Sequence, residues 1–205
     1  MTDQCIAFNR LHYYSYLIMP HGVIDCVAEW QRRFVKMFGF RNATVKLPHL
    51  SFSNWSMSPH CERRLFDLLE ARCRVVKPLN VKLTGFDDLN GGAFCFMVAQ
   101  GKQCFDRVID DKGKWRRDFK MVGGVRGVEF TENLHVTIAK GLTQAQCGVV
   151  RKAWEGQHFE MAFPVEGLRL LRESGRGKKF LRDFRFEGYP KPPPAPGYGN
   201  QLPLF

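Results

Sequence analysis

The stretch Leu134-His135-Val136-Thr137-Ile138-Ala139-Lys140 indicates how the whole chain is organised. Apolar residues alternate with His135 and Thr137, which is the pattern of a β-strand with one apolar face. Side chains two positions apart share a face of a strand, so the imidazole and the hydroxyl project together. An imidazole transfers protons near neutral pH, and a hydroxyl donates a hydrogen bond to an oxyanion. A single His-x-Thr strand is more often structural than catalytic.

The chain contains a second copy of this pattern. Leu47-Pro48-His49-Leu50-Ser51-Phe52-Ser53 again places a histidine and a hydroxyl on one face of a predicted strand. Two such strands can line one cleft, where one imidazole acts as a base and the other as an acid. The hydroxyl beside each imidazole can then bind an oxygen of a phosphate. The doubled motif therefore predicts an enzyme that acts on a phosphate ester.

The two motifs, His49-Leu50-Ser51 and His135-Val136-Thr137, resemble those that define the 2H phosphoesterase superfamily. Within it, the chain is similar to the 2′,5′-RNA ligase and cyclic phosphodiesterase branch, over about residues 13–189. The resemblance implies an α+β fold of two pseudo-symmetric lobes, each an antiparallel sheet with outer helices, facing across a central cleft. It also implies that the histidines are catalytic, and that the two hydroxyls and the basic residue Lys140 bind phosphate.

The first motif departs from the family pattern in two respects. Ser51 stands where threonine is commoner, which keeps the hydroxyl. Beyond it, the family often has Phe-Leu-Gly, whereas this chain has Asn54-Trp55-Ser56. We therefore expect the substrate pocket to differ on this side, and Trp55 is a candidate for stacking on a base.

The composition is that of a basic globular protein. The chain has 205 residues, 44% of them hydrophobic, and a formal net charge of +11, which favours a polyanionic partner such as RNA or a nucleotide. The seven cysteines form no Cys-x-x-Cys motif, so we expect neither a disulfide framework nor a zinc site. No secretory signal or membrane span is recognisable, and the predicted protein is cytoplasmic, with no metal and no cofactor.

Strand and helix patterns alternate along residues 1–189, the predicted bilobal domain. Predicted strands cover residues 12–19, the two motifs, 79–86, 93–99, 159–165 continued by 168–172, and 180–189. Predicted helices cover residues 23–38, a segment with Ser58 as N-cap and Pro59 at the first position, 103–119, and a segment that the capping box of Thr143 and Gln146 opens. Asn90-Gly91-Gly92 predicts a hairpin, and residues 123–127 a flexible glycine-rich connector with Arg126 as a possible phosphate contact.

Residues 190–205 form a separate proline-rich tail. Pro190-Lys191-Pro192-Pro193-Pro194-Ala195-Pro196 predicts an extended, semi-rigid spacer. The tail ends in Gln201-Leu202-Pro203-Leu204-Phe205, which resembles the pentapeptide that binds the bacterial sliding clamp. In that motif Gln201, Leu202, Leu204 and Phe205 are the matching positions. The alternative is a tail that frays or folds back onto its own domain.

Three classes of function fit the sequence. The favoured one is a metal-independent phosphodiesterase acting on RNA 2′,3′-cyclic phosphate or 2′,5′-phosphodiester bonds, with ligation as the reverse reaction. The second is a phosphodiesterase for a cyclic nucleotide or oligonucleotide signal. The third is a non-catalytic RNA-binding or clamp-associated module. Which histidine is the base and which the acid is left open by the sequence.

Overall fold

The fold is described from a computed structural model, which covers residues 10–43, 47–89, 92–100, 112–175 and 177–189. Its strands, in chain order, are β1 Leu11–Leu17, β2 Leu50–Met57, β3 Leu79–Leu89, β4 Ala93–Gln100, β5 Arg126–Phe130, β6 His135–Ala139, β7 Glu160–Val165, β8 Gly167–Ser174 and β9 Gly177–Arg185. Its helices are α1 His21–Phe38, α2 Glu62–Val75, α3 Lys112–Val122 and α4 Gln144–Trp154, with short 3-10 turns at Arg41–Ala43 and Pro59–Cys61. The predicted α+β class is confirmed.

All pairings between these strands are antiparallel, and they join the strands into one sheet of order β7-β3-β4-β6-β2-β1-β8-β9. Strand β5 pairs with the second half of β2. Strands β6 and β2, which carry the two motifs, are neighbours with four strands on each side of their junction. The junction itself is short, with Leu50 opposite Val136. The arrangement as two pseudo-symmetric lobes stays a prediction.

The helices cover the face of the sheet opposite to the two motifs. In α1, Trp30 packs against Phe96, and Phe34 against Phe94, so alternate β4 residues such as Met97 face the other way. On the far half of the sheet, Phe66 of α2 packs on Phe184, and Phe119 of α3 packs on Trp55. The buried apolar residues of both halves belong to one core cluster.

Local signals account for most element boundaries. Helix α1 ends at Gly39, whose φ of 72° is the left-handed conformation expected of a C-terminal glycine. Thr143 and Gln146 form the predicted capping box at the start of α4. Leu89 pairs with Ala93, which confirms the predicted hairpin, although its Asn90 and Gly91 lie outside the described residues.

Three details of the structure differ from the prediction. Residues 168–172 do not continue the preceding strand, because β7 pairs with β3 at one edge of the sheet whereas β8 pairs with β1 and β9. Ser58 is the N-cap and Pro59 the first residue of the 3-10 turn Pro59–Cys61, not of α2, and the Ser58 side chain makes no capping hydrogen bond. The glycine-rich connector runs into strand β5 at Arg126, while the part of the third predicted helix at residues 103–111 lies outside the described residues.

Candidate active site

The register of the central strands brings the two motifs together. Leu50 is opposite Val136 in the antiparallel β2–β6 pair. Continuing this register by one residue in each direction places His49 opposite Thr137 and Ser51 opposite His135. These four side chains share the face that the helices leave uncovered, since Leu50 and Val136 point into the core. The two histidines are then diagonal neighbours, about 7–8 Å apart between backbones, which is within reach of one phosphate.

Both imidazoles are held in the same way by the backbone. His49 Nδ1 lies 2.9 Å from the carbonyl oxygen of Leu47, and His135 Nδ1 lies 2.6 Å from the carbonyl oxygen of Asn133. A carbonyl oxygen only accepts hydrogen bonds, so each Nδ1 carries the proton and donates it. Nε2 of each ring is therefore the atom left to exchange a proton with a substrate. Each histidine, when neutral, presents a base at Nε2, and when charged presents an acid there.

An aromatic ring supports the first imidazole. Tyr16 of β1 stacks on His49 with ring centroids 4.1 Å apart and an angle of 19° between the planes. Tyr16 is opposite Ser51 because the β1–β2 register shifts at Phe52, which has no partner on β1. This bulge brings the Tyr16 side chain to the same face as the motifs. Burial raises the pKa of the Tyr16 hydroxyl to about 12, so the tyrosine is uncharged at neutral pH.

The pKa of His49 is lowered from its ordinary value. Burial is the largest cause, because it disfavours the charged imidazolium. The positive charges of Lys178, His135 and Lys140 lower the pKa further, whereas the hydrogen bond to the Leu47 carbonyl opposes these effects. His49 is therefore neutral at pH 7, and it accepts a proton at Nε2 more readily than it donates one.

Two lysines flank the histidine pair. Lys140 directly follows β6, is exposed, and donates its backbone N–H to the carbonyl of Ala43 at 2.7 Å. Lys178 at the start of β9 was missed by sequence reasoning, since no local pattern links residue 178 to either motif. Only the pairing of β9 with β8, and of β8 with β1, brings it to this face. The flanking charges make the site suitable for an anion.

Trp55 is not available for base stacking, contrary to the prediction. Its side chain is only 1% exposed, with its ring stacked on Tyr13 and packed against Phe119. Trp55 lies on the helix-covered face of β2, because the bulge at Phe52 reverses the alternation that Ser51 begins. The position of Trp55 beside the first motif suggested a contact with a ligand. Its ring instead fills the core between β2 and α3.

Among the described residues, no group of three or more His, Cys, Asp or Glu side chains is arranged to hold a metal ion. Cys95 is opposite Thr137 on β4, next to the site, and burial raises the pKa of its thiol to about 12, so it is no nucleophile at neutral pH. In the same part of the chain, no helix has the length and apolarity that a membrane crossing requires.

The fold of the chain occurs among solved structures. No protein-family model matches the chain, and no curated protein sequence matches it significantly. The crystal structure of Escherichia coli LigT complexed with 3′-AMP matches with a TM-score of 0.56 at 15% identity, over 86% of this chain and 98% of that chain. The crystal structure of TT0787 of Thermus thermophilus matches with a TM-score of 0.55 at 18% identity, again over 86% and 98%.

A further structure, LigT complexed with NADP+, matches with a TM-score of 0.54 at 12% identity, over 87% of this chain and 99% of that chain. The chain therefore has the fold of LigT. The resemblance drawn from the two motifs is confirmed at the level of this fold.

Proposed function

We propose that the protein is a metal-independent phosphodiesterase of the 2H type, acting on RNA 2′,3′-cyclic phosphate or 2′,5′-phosphodiester bonds. The observation that carries the proposal is the Leu50–Val136 register, which gathers two imidazoles and two hydroxyls on one open face. The net charge of +11 is suited to a polyanionic substrate. LigT, whose fold this chain shares, has been crystallised with 3′-AMP and with NADP+, both of them nucleotides.

In the hydrolysis of a 2′,3′-cyclic phosphate, the two histidines divide the proton transfers. Nε2 of neutral His49 removes a proton from water, and the water oxygen forms a bond to phosphorus. The bond from phosphorus to one ribose oxygen breaks, and Nε2–H of His135 protonates that oxygen. The product is a phosphomonoester; the proton taken by His49 returns to solvent, and His135 regains one from solvent. In ligation, the 5′-hydroxyl of a second RNA takes the place of water: one imidazole removes its proton as its oxygen bonds to phosphorus, and the other protonates the 3′ ribose oxygen that leaves, which gives a 2′,5′-phosphodiester. Cleavage of that 2′,5′ bond is the reverse of ligation, with the acid and base roles exchanged.

The hydroxyls and the flanking lysine stabilise the charge that accumulates on phosphorus. Ser51 and Thr137 each stand beside an imidazole of the other strand, and donate hydrogen bonds to non-bridging phosphate oxygens. Lys140 adds a positive charge close enough to affect the pKa of His49. These donors are fixed by strands rather than loops, so little reorganisation is needed when the transition state forms.

A substrate panel tests this function. The full chain is assayed in EDTA on nucleoside 2′,3′-cyclic phosphates, on short RNAs ending in a cyclic phosphate, and on 2′,5′-linked dinucleotides. We expect turnover of at least one class without added metal. Turnover of cyclic oligonucleotide signals alone would favour the second candidate function, and RNA binding without turnover of any substrate would favour a non-catalytic module.

The compartment and the partner of the tail are also matters for experiment. We place the protein in the reducing cytoplasm, where thiols stay free. Five of its cysteines are free thiols: Cys26, Cys61, Cys73, Cys95 and Cys147.

The tail lies outside the described residues, and its partner is proposed from the terminal motif alone. A bacterial sliding clamp should retain the full chain but not a chain truncated before Gln201. Equal retention of both would remove the clamp from the proposal.

A further inference from the structure

Lys178 contacts two tyrosines of the site from outside the motif strands. Its Nζ lies 3.7 Å from the ring centroid of Tyr14 and 5.0 Å from that of Tyr16. It also donates a hydrogen bond to the hydroxyl of Tyr16. The same Tyr16 ring stacks on His49 at 4.1 Å, so the ammonium group lies within about 9 Å of the imidazole by way of the shared ring. A direct chain of contacts therefore links the β8–β9 hairpin to one of the two histidines.

We propose that Lys178 is a positioning residue for His49: its ammonium group fixes the Tyr16 ring against the imidazole and places a positive charge beside it. The inference rests on the proposed function for its catalytic meaning, since a neutral His49 is the base in hydrolysis. Three contacts hold the lysine, namely two cation–π contacts and one hydrogen bond, so its position is defined although part of its side chain faces solvent. Tyr16 in turn has little freedom, because it is buried.

The groups that act on His49 come from three strands. Tyr16 faces it from β1, His135 and Lys140 from β6 and the residue after it, and Lys178 from β9. None of these groups is acidic, and the three that can carry a positive charge disfavour the imidazolium. A neutral ring is therefore maintained in the empty site, and an arriving phosphate is attracted by the same charges.

The surroundings of Lys178 disfavour its own positive charge. Partial burial lowers its pKa, and the neighbouring charge of Lys140 lowers it further, whereas Glu173 of β8 acts in the opposite direction. Two ammonium groups that repel each other across a site gain most when an anion lies between them. Lys178 thus adds to the positive charge around the site.

The test measures His49 directly, by following the NMR signals of its imidazole through a pH titration of the full chain. The Lys178→Met variant removes the charge and the hydrogen-bond donor while keeping an unbranched side chain. Lys178→Arg keeps both and serves as the rescue. Lys179→Met is the matched control, because Lys179 is exposed and adjacent residues of a strand point to opposite faces.

We expect the pKa of His49 to rise in Lys178→Met and to stay at the wild-type value in Lys178→Arg and Lys179→Met. The value of kcat/KM on the preferred cyclic phosphate should fall by up to about 100-fold in Lys178→Met, as expected when a catalytic group is displaced. Lys178→Arg and Lys179→Met should retain most of the wild-type kcat/KM. The acidic limb of the pH–rate profile should move to higher pH in Lys178→Met only. An unchanged His49 pKa in Lys178→Met, or an equal rise in Lys179→Met, would overturn the proposal.

The titration needs no substrate, so the two proposals fail separately. If the wild-type chain hydrolyses none of the phosphodiesters while the His49 pKa responds as expected, the proposed function is wrong and the positioning by Lys178 stands. If hydrolysis occurs and the His49 pKa ignores Lys178, the function stands and the positioning is wrong. A purely structural effect of Lys178 would lower the unfolding temperature without a selective shift of this one imidazole.

Discussion

Removing the two motif hydroxyls should slow the reaction without unfolding the protein. Ser51 and Thr137 are half-buried on the open face, so Ser51→Ala and Thr137→Val leave the core intact. Removing one preorganised donor to a charged transition state costs about 10²–10³ in kcat, or about 2.7–4 kcal/mol. The double variant should lose less than the product of the two effects, because both donors contact one phosphate and are coupled through it.

The assay is kcat and KM on a nucleoside 2′,3′-cyclic phosphate in EDTA, with a thermal unfolding curve for each variant. Thr137→Ser, which keeps the hydroxyl, should retain most of the activity. Ser53→Ala is the control on the same strand, because the Ser53 hydroxyl lies 2.6 Å from that of Ser15 in the buried layer. It should leave kcat unchanged and cost about 1 kcal/mol of unfolding free energy. Folded Ser51→Ala and Thr137→Val variants with wild-type kcat would refute the reasoning.

Three further predictions concern the ionisation of the site and its support. Because the pKa of His49 is lowered on folding, the unfolded chain binds more protons than the folded chain when the pH drops below the ordinary value of about 6.5. The free energy of unfolding should therefore decrease as the pH is lowered from about 7 to about 5. His49→Asn should flatten this dependence, as measured by urea unfolding across that range. Trp55→Ala should cost about 3–5 kcal/mol in denaturant unfolding, whereas Trp55→Phe, if folded, should leave KM unchanged, and a selective rise in its KM would restore the stacking role. Gly92→Ala should destabilise the protein by more than about 1 kcal/mol, because the added Cβ would lie 2.1 Å from the Leu142 carbonyl oxygen and the backbone φ there is 78°. Gly148→Ala in α4 should instead stabilise it by about 0.5–1 kcal/mol, because its Cβ would meet no atom within 4 Å. Thermal melts that rank the two variants in the opposite order would contradict the geometry.

Local chemistry explains which parts of the fold could be predicted from the sequence. The helix end at Gly39 and the capping box of Thr143 and Gln146 depend on residues a few positions apart, and both are confirmed. The strand boundary at Glu166 was missed, because β7 and β8 are both apolar and nearly contiguous, and only their partners on opposite halves of the sheet separate them. Pairing over long sequence distances has no signature in a single sequence.

The same distinction applies to the candidate site. The histidines and hydroxyls could be predicted because each motif is local: its two side chains lie two positions apart on one strand and therefore share a face. The contacts of Tyr16 and Lys178 with this group depend on the bulge at Phe52 and on the order β2-β1-β8-β9, which no local pattern encodes. Trp55 was misassigned for the same reason, since its direction depends on that bulge and on α3, more than 50 residues further along the chain.

The central claim is that two imidazoles act on one phosphate through their Nε2 atoms. His49→Asn and His135→Asn test it most directly, because the asparagine amide can donate to the Leu47 or Asn133 carbonyl in place of Nδ1 while Nε2 is lost. With the exposed His158→Asn as control, each should lower kcat/KM on the preferred cyclic phosphate in EDTA by about 10²–10⁴. Wild-type kcat/KM in either folded motif variant would contradict the account.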